Sequence, residues 1–113
     1  MDKIDDIIDE LIVFRDSREW DKFHTPKNLI MALNGEVGEL NSLVQWMDNS
    51  QIKTNEVRSR VAEEMSDIFI YLVNLSLQMD IDLIHEVQCK ISQNARRYPV
   101  DLCKGKSTKA EDL

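Results

Sequence analysis

The chain has 113 residues, 42% of them hydrophobic and 31% charged, with a net charge of −7. That is enough for one domain with a core and too apolar for a disordered chain. The acidic balance excludes a nucleic-acid polymer as partner, where phosphate neutralisation dominates affinity, but not a small phosphorylated ligand held through a metal. Three glycines and two prolines leave little turn chemistry for a β-rich fold. The start, Met1-Asp2-Lys3-Ile4-Asp5-Asp6, does not resemble a signal peptide. The longest apolar run, Ile68 to Leu77, is interrupted by Asn74 and Ser76 and is too short to span a bilayer. Cys89 and Cys103 match no metal-ligand spacing and read as free thiols in a reducing, cytoplasmic location.

Four helices are predicted. The first runs from Asp2 to Trp20, with Ile4, Ile7, Ile8, Leu11 and Ile12 at helical spacing. The second begins at Thr25-Pro26, an N-cap followed by proline at the first helical position, and runs to Met47. Residues 48–53 are polar and read as a loop. The third helix runs from Thr54 to Met79. Asp80 is the predicted cap of a fourth, which ends near Arg97 before Pro99. The tail from Val100 carries "KGKSTKAEDL" and has little to bury. A helical domain over residues 1–100 and a flexible tail over 101–113 follow. The fold class is all-α, an antiparallel four-helix bundle.

The third helix is apolar almost all round, which requires burial on all sides. One protomer of this size cannot supply it. Ile70, Val73 and Leu77, on the side away from Glu64, are expected to be covered by a second chain, so a homodimer or tetramer is expected.

The carboxylates are the unusual feature. On a wheel of about 100° per residue, Leu29, Leu40, Leu43 and Met47 fall within about 40° of Glu36. Glu39 lies about 60° to one side. These glutamates share the apolar stripe rather than the solvated face. Glu64, Asp67 and Tyr71 are spaced i, i+3, i+7 on the third helix, with Glu63 pointing about 100° away, toward the rim. Inward carboxylates on two helices repel by about 4 kcal/mol per pair at about 4 Å and an effective dielectric near 20. Protonation or a divalent cation relieves that. All-oxygen ligation suits a hard ion, Mg²⁺ or Mn²⁺. Gly35 and Gly38 flank Glu39, and their missing side chains leave room for a helix or a ligand.

Aromatic residues gather in sequence around these acids: Trp20 before Phe23-His24, Trp46, and Tyr71. Each suits a core, and together they suit stacking on a planar ligand. His24 suits a loop cap as well as a site. Lys90, Asn94 and Arg97 form a cationic face followed by Tyr98, either solvated surface or phosphate contacts. Arg15, Arg18 and Lys27 are weaker candidates of the same kind.

Glu36-x-x-Glu39, then 24 residues, then Glu64-x-x-Asp67, with "EWDKFHTPKNLIMAL", "GEVGEL", "QW", "EEMSDIFIYL" and "NARRYP" in order, resembles the MazG-like nucleotide pyrophosphohydrolases, in the small group that includes dCTP pyrophosphatases. The resemblance covers residues 10–100. It implies an all-α fold, protomers associated as dimers or tetramers, and Mg²⁺-dependent hydrolysis of a nucleoside triphosphate to monophosphate and pyrophosphate. It implies metal binding by Glu36, Glu39, Glu64 and Asp67, with Glu36 or Glu39 activating water. It places Trp20, Trp46, Tyr71 and His24 at the base, and Lys90, Asn94, Arg97 and Tyr98 at phosphate or sugar. The short tail keeps Lys104-Gly105-Lys106. Substrates such as dCTP or non-canonical dNTPs fit a nucleotide-pool cleansing role. A metal-stabilised helical dimer without activity, a related all-α dUTPase and a phosphoribosyl-ATP pyrophosphohydrolase are the alternatives.

Overall fold

A computed structural model describes residues 2–113; Met1, the first residue of the predicted domain, lies outside them. The described residues are helical with no strand. The elements are α1 (Lys3–Ser17), α2 (Pro26–Val44), α3 (Asn49–Ile52), α4 (Asn55–Gln78), α5 (Leu83–Arg97) and α6 (Val100–Cys103). Single 3₁₀ turns lie at Asp21–Phe23 and Ala110–Asp112. Four of these helices are long, the number the periodicity predicts.

Local chemistry sets the boundaries. The Asp2 carboxylate accepts from the Asp5 amide at 2.9 Å and starts α1. Thr25 Oγ1 accepts from the Asn28 amide at 3.2 Å, with Pro26 at the first helical position of α2. α1 ends where Glu19 turns left-handed at φ 53°. The 3₁₀ turn at Asp21–Phe23 follows, held by side-chain hydrogen bonds. Gln78 Nε2 donates to Asp21 Oδ1 at 2.6 Å, and Asn28 Nδ2 donates to the Phe23 carbonyl at 3.3 Å.

Several boundaries differ from the sequence reading: α1 stops at Ser17, short of Trp20, and α2 at Val44, short of Met47. Residues 48–53 are not a plain loop: they contain the one-turn helix α3, started by a capping box between Asp48 and Gln51. The cap of α5 is Asp82, whose carboxylate accepts from the His85 amide at 3.1 Å. Asp80 instead closes α4 in a left-handed conformation, φ 53°, which aspartate tolerates better than most residues.

The chain divides into two compact units, Met1–Asp80 and Ile81–Leu113. In the first, α2 packs along α4, while α1 and α3 touch α4 more lightly. Leu29 and Val73, each 2% exposed, are the only buried apolar side chains among the described residues. Val73 is therefore covered within a single chain, and does not wait for a partner as its wheel position predicts. Ser76 is buried on the same helix, its hydroxyl donating to the Val73 carbonyl at 2.6 Å. Met65, Phe69 and Leu72, at i, i+4 and i+7 on α4, stay more than a third exposed. The second unit holds α5, α6 and the last 3₁₀ turn. No single helix is long and apolar enough to cross a membrane among the described residues.

Candidate active site

The pairing of α2 with α4 sets Glu36 against the start of the inward row on α4. One oxygen each from Glu36, Glu64 and Asp67 lies within 4.8 Å of the others. Glu36 and Glu64 are half-buried, and Oε2 of each is buried with no hydrogen-bond partner. Three carboxylates so close do not all ionise easily without a cation. Removal from water pushes the Glu36 carboxyl up to about 7; the neighbouring Glu64 carboxyl and the charges of Glu39 and Asp67 add to that. The all-oxygen donors, the unpartnered oxygens and the unrelieved repulsion fit a hard divalent ion held by Glu36, Glu64 and Asp67.

Glu39, one turn beyond Glu36, is exposed and stands outside that trio. It lines a neighbouring cleft of about 590 Å³ with Gly35, Gly38, Arg60 and Glu63. A Cβ added at Gly35 or Gly38 would meet nothing within 4 Å, so among the described residues no helix uses the room the glycines leave.

On the other side of Glu36 and Asp67 opens a cavity of about 490 Å³, within the range of small-ligand sites. Trp20, His24 and Tyr71 line it, with Ile7, Leu11 and Phe14 from α1. Phe14 meets Trp20 edge-on at 5.7 Å, and the Arg18 guanidinium sits 3.6 Å over Phe14, bracing that wall. His24 is kept neutral: burial, then the Arg15 charge, lower its pKa against the opposing pull of Asp21. Its Nδ1 is buried without a partner.

Three further lining residues carry polar chemistry: Glu10, Arg15 and Asn74. By sequence Arg15 is only a weaker candidate, and Asn74 is only a break in an apolar run. Arg15 is held by Asp16 at 2.9 Å and Asp21 at 3.5 Å, its side chain 15% exposed. The available signal for Asn74 was an amide inside "YLVNLSL", where a helix otherwise carries apolar residues.

Trp46 lines none of these spaces. α2 ends at Val44, and Trp46 lies in the following turn, 90% exposed. Lys27, in the first turn of α2, is exposed. Lys90, Asn94, Arg97 and Tyr98 belong to the second unit and are exposed on α5 and its cap. There Lys90 Nζ approaches Gln93 at 3.5 Å, and the Arg97 guanidinium lies 5.6 Å from the Tyr98 ring.

An all-helical scaffold that turns carboxylates of two helices toward one another, beside an aromatic cavity, defines a class, and the chain belongs to the MazG-like family, whose model matches residues 31–113. Among individual proteins, it is similar to dCTP pyrophosphatase 1 of Bos taurus, 45% identical over 104 residues, which are 88% of this chain and 62% of that protein. It is 41% identical to dCTP pyrophosphatase 1 of Homo sapiens over the same length, 61% of that protein. The chain thus spans about three-fifths of the length of these relatives. A crystal structure of a pyrophosphatase from Archaeoglobus fulgidus superposes with a TM-score of 0.75 at 40% identity, covering 88% of this chain and 94% of that one.

Proposed function

We propose that the chain is a Mg²⁺-dependent nucleoside triphosphate pyrophosphohydrolase that converts a deoxynucleotide such as dCTP to the monophosphate and pyrophosphate. The observation that carries this reading is the Glu36, Glu64 and Asp67 cluster, with its unpartnered buried oxygens, at the edge of the aromatic cavity. The similarity to proteins named dCTP pyrophosphatase supports the choice of dCTP.

Glu36, Glu64 and Asp67 would hold the ion, Mg²⁺ or Mn²⁺. Bound there, such an ion supplies charge neutralisation for the triphosphate and acidifies water. Glu39, outside the trio and exposed, takes the proton of the attacking water. The water oxygen bonds to the α-phosphorus, the bond to the α–β bridging oxygen breaks, and pyrophosphate leaves with that electron pair. Trp20 and Tyr71 offer ring faces to the base, and neutral His24 offers a nitrogen without competing charge. Arg15 presents a cation at the same cavity. We assign phosphate or sugar binding to Lys90, Asn94, Arg97 and Tyr98, and to Lys27, on their chemistry, and base stacking to Trp46.

The active form is a dimer or tetramer. Supporting this, the Met65, Phe69 and Leu72 face of α4 and the Ile30 and Val37 side chains of α2 are exposed. Incubation with dCTP and Mg²⁺, followed by ³¹P NMR, tests the activity. The expected products are dCMP and pyrophosphate, absent when EDTA replaces Mg²⁺. Formation of dCDP and inorganic phosphate, or no reaction, would refute the proposal.

A further inference from the structure

Asn74 is 7% exposed, and its Oδ1 is buried with no hydrogen-bond partner. Native folds rarely leave such an atom unpaired unless a ligand or water reaches it. The side chain lines the 490 Å³ cavity. It follows Asp67 and Tyr71 on the same face of α4, at i+7 and i+3. About 10 Å of helix separates Asp67 from Asn74, the scale of a nucleoside. Along this row the chemistry changes from an anionic ligand, to a ring face, to a neutral amide. A nucleotide whose phosphates sit at the carboxylates and whose base stacks at Tyr71 would bring the base's edge to Asn74.

We infer that Asn74 reads that edge and selects a 4-aminopyrimidine. This rests on the nucleotide reading above. The unpaired atom is an acceptor and needs a donor. Cytosine offers an exocyclic amino group beside the ring N3 acceptor, so Oδ1 accepts from the amino group while Nδ2 donates to N3. A 4-oxo base sets an oxygen lone pair against Oδ1. A 4-oxo base is paired only if the amide turns over and exchanges Oδ1 with Nδ2, so the discrimination rests on the amide keeping the orientation in which Oδ1 is the buried, unpaired atom. His24 contributes a second unpartnered atom, Nδ1, to the cavity, but Asn74 alone carries acceptor and donor side by side.

The test compares wild type, Asn74→Leu and Asn74→Ala. Leucine is close in size and apolar like its neighbours; alanine guards against a leucine that does not fold. The readouts are kcat/KM for dCTP and dUTP with Mg²⁺, and calorimetric binding of the α,β-imido analogues of both. Wild type is expected to prefer the cytosine nucleotide in both readouts. Each variant is expected to lower the dCTP/dUTP ratio by about tenfold to a hundredfold. An unchanged ratio in variants that still turn over refutes the role of Asn74 and leaves the enzymatic reading standing. A cytosine preference in binding that Asn74→Leu abolishes, without hydrolysis by wild type, refutes the enzymatic reading and leaves the role of Asn74 standing. Absence of binding to either analogue refutes both.

Discussion

Metal affinity should rise steeply with pH, because the ion must displace a proton from Glu36. That carboxyl is pushed from its ordinary 4.5 up to about 7 by desolvation and by Glu64, Glu39 and Asp67. At pH 6 about one Glu36 in ten is ionised, and at pH 8 about nine in ten. Below about pH 7 each pH unit therefore changes Mg²⁺ affinity by up to about tenfold, and binding releases about one proton. The same shift sets the stability of the metal-free protein. Between pH 4.5 and 7 the folded chain holds a proton that the unfolded chain has lost. Stability from this group is complete below 4.5, falls as pH rises through 7, and is level above. Titration calorimetry in two buffers of different ionisation heat gives both affinity and proton release. Glu36→Gln should bind Mg²⁺ more weakly and with a much flatter pH dependence. An equal affinity at pH 5.5 and 7.5 in wild type, with no proton released, would refute the clustered-carboxylate account.

Leu29→Ala should destabilise by about 2–5 kcal/mol in urea unfolding, since Leu29 is one of two buried apolar side chains among the described residues. Leu72→Glu should shift sedimentation toward monomer; an unchanged oligomer, or a wild type that is an active monomer, would remove the Met65–Phe69–Leu72 face as an interface. Trp46→Ala should leave stability within about 0.5 kcal/mol, because the ring is 90% exposed. It should raise KM for dCTP more than it lowers kcat if the ring stacks on the base; an unchanged KM would exclude Trp46 from the site.

Helix number and type were legible because apolar spacing and caps such as Thr25-Pro26 are local signals. The failures have local causes too. The capping box in Asp48-Asn49-Ser50-Gln51 was in plain view, yet a polar stretch reads as a loop when only apolar periodicity is counted. Asp80 and Asp82 are both good caps, and the choice depends on which one turns left-handed to end α4. The wheel angle of Trp46 assumed a helix through Met47, but α2 stops at Val44, so the angle no longer applied. Val73 sat opposite Glu64 on the wheel, and a wheel cannot tell burial within the chain from burial by a second one. In the site, the i, i+3, i+7 spacing of Glu64, Asp67 and Tyr71 marks one helical face. That Glu36 joins Glu64 and Asp67 while Glu39 shares with Glu64 the cleft beside them depends on how α2 lies against α4. The contributions of Arg15 and Asn74 depend on packing between distant segments in the same way.

Attack of water at the α-phosphorus is the central step of the proposed function, and isotope transfer reads it directly. Hydrolysis of dCTP in ¹⁸O-labelled water with Mg²⁺, followed by mass spectrometry, should place one label in dCMP and none in pyrophosphate. Label in the pyrophosphate, or turnover that persists at the wild-type rate in Glu64→Gln, would contradict the account.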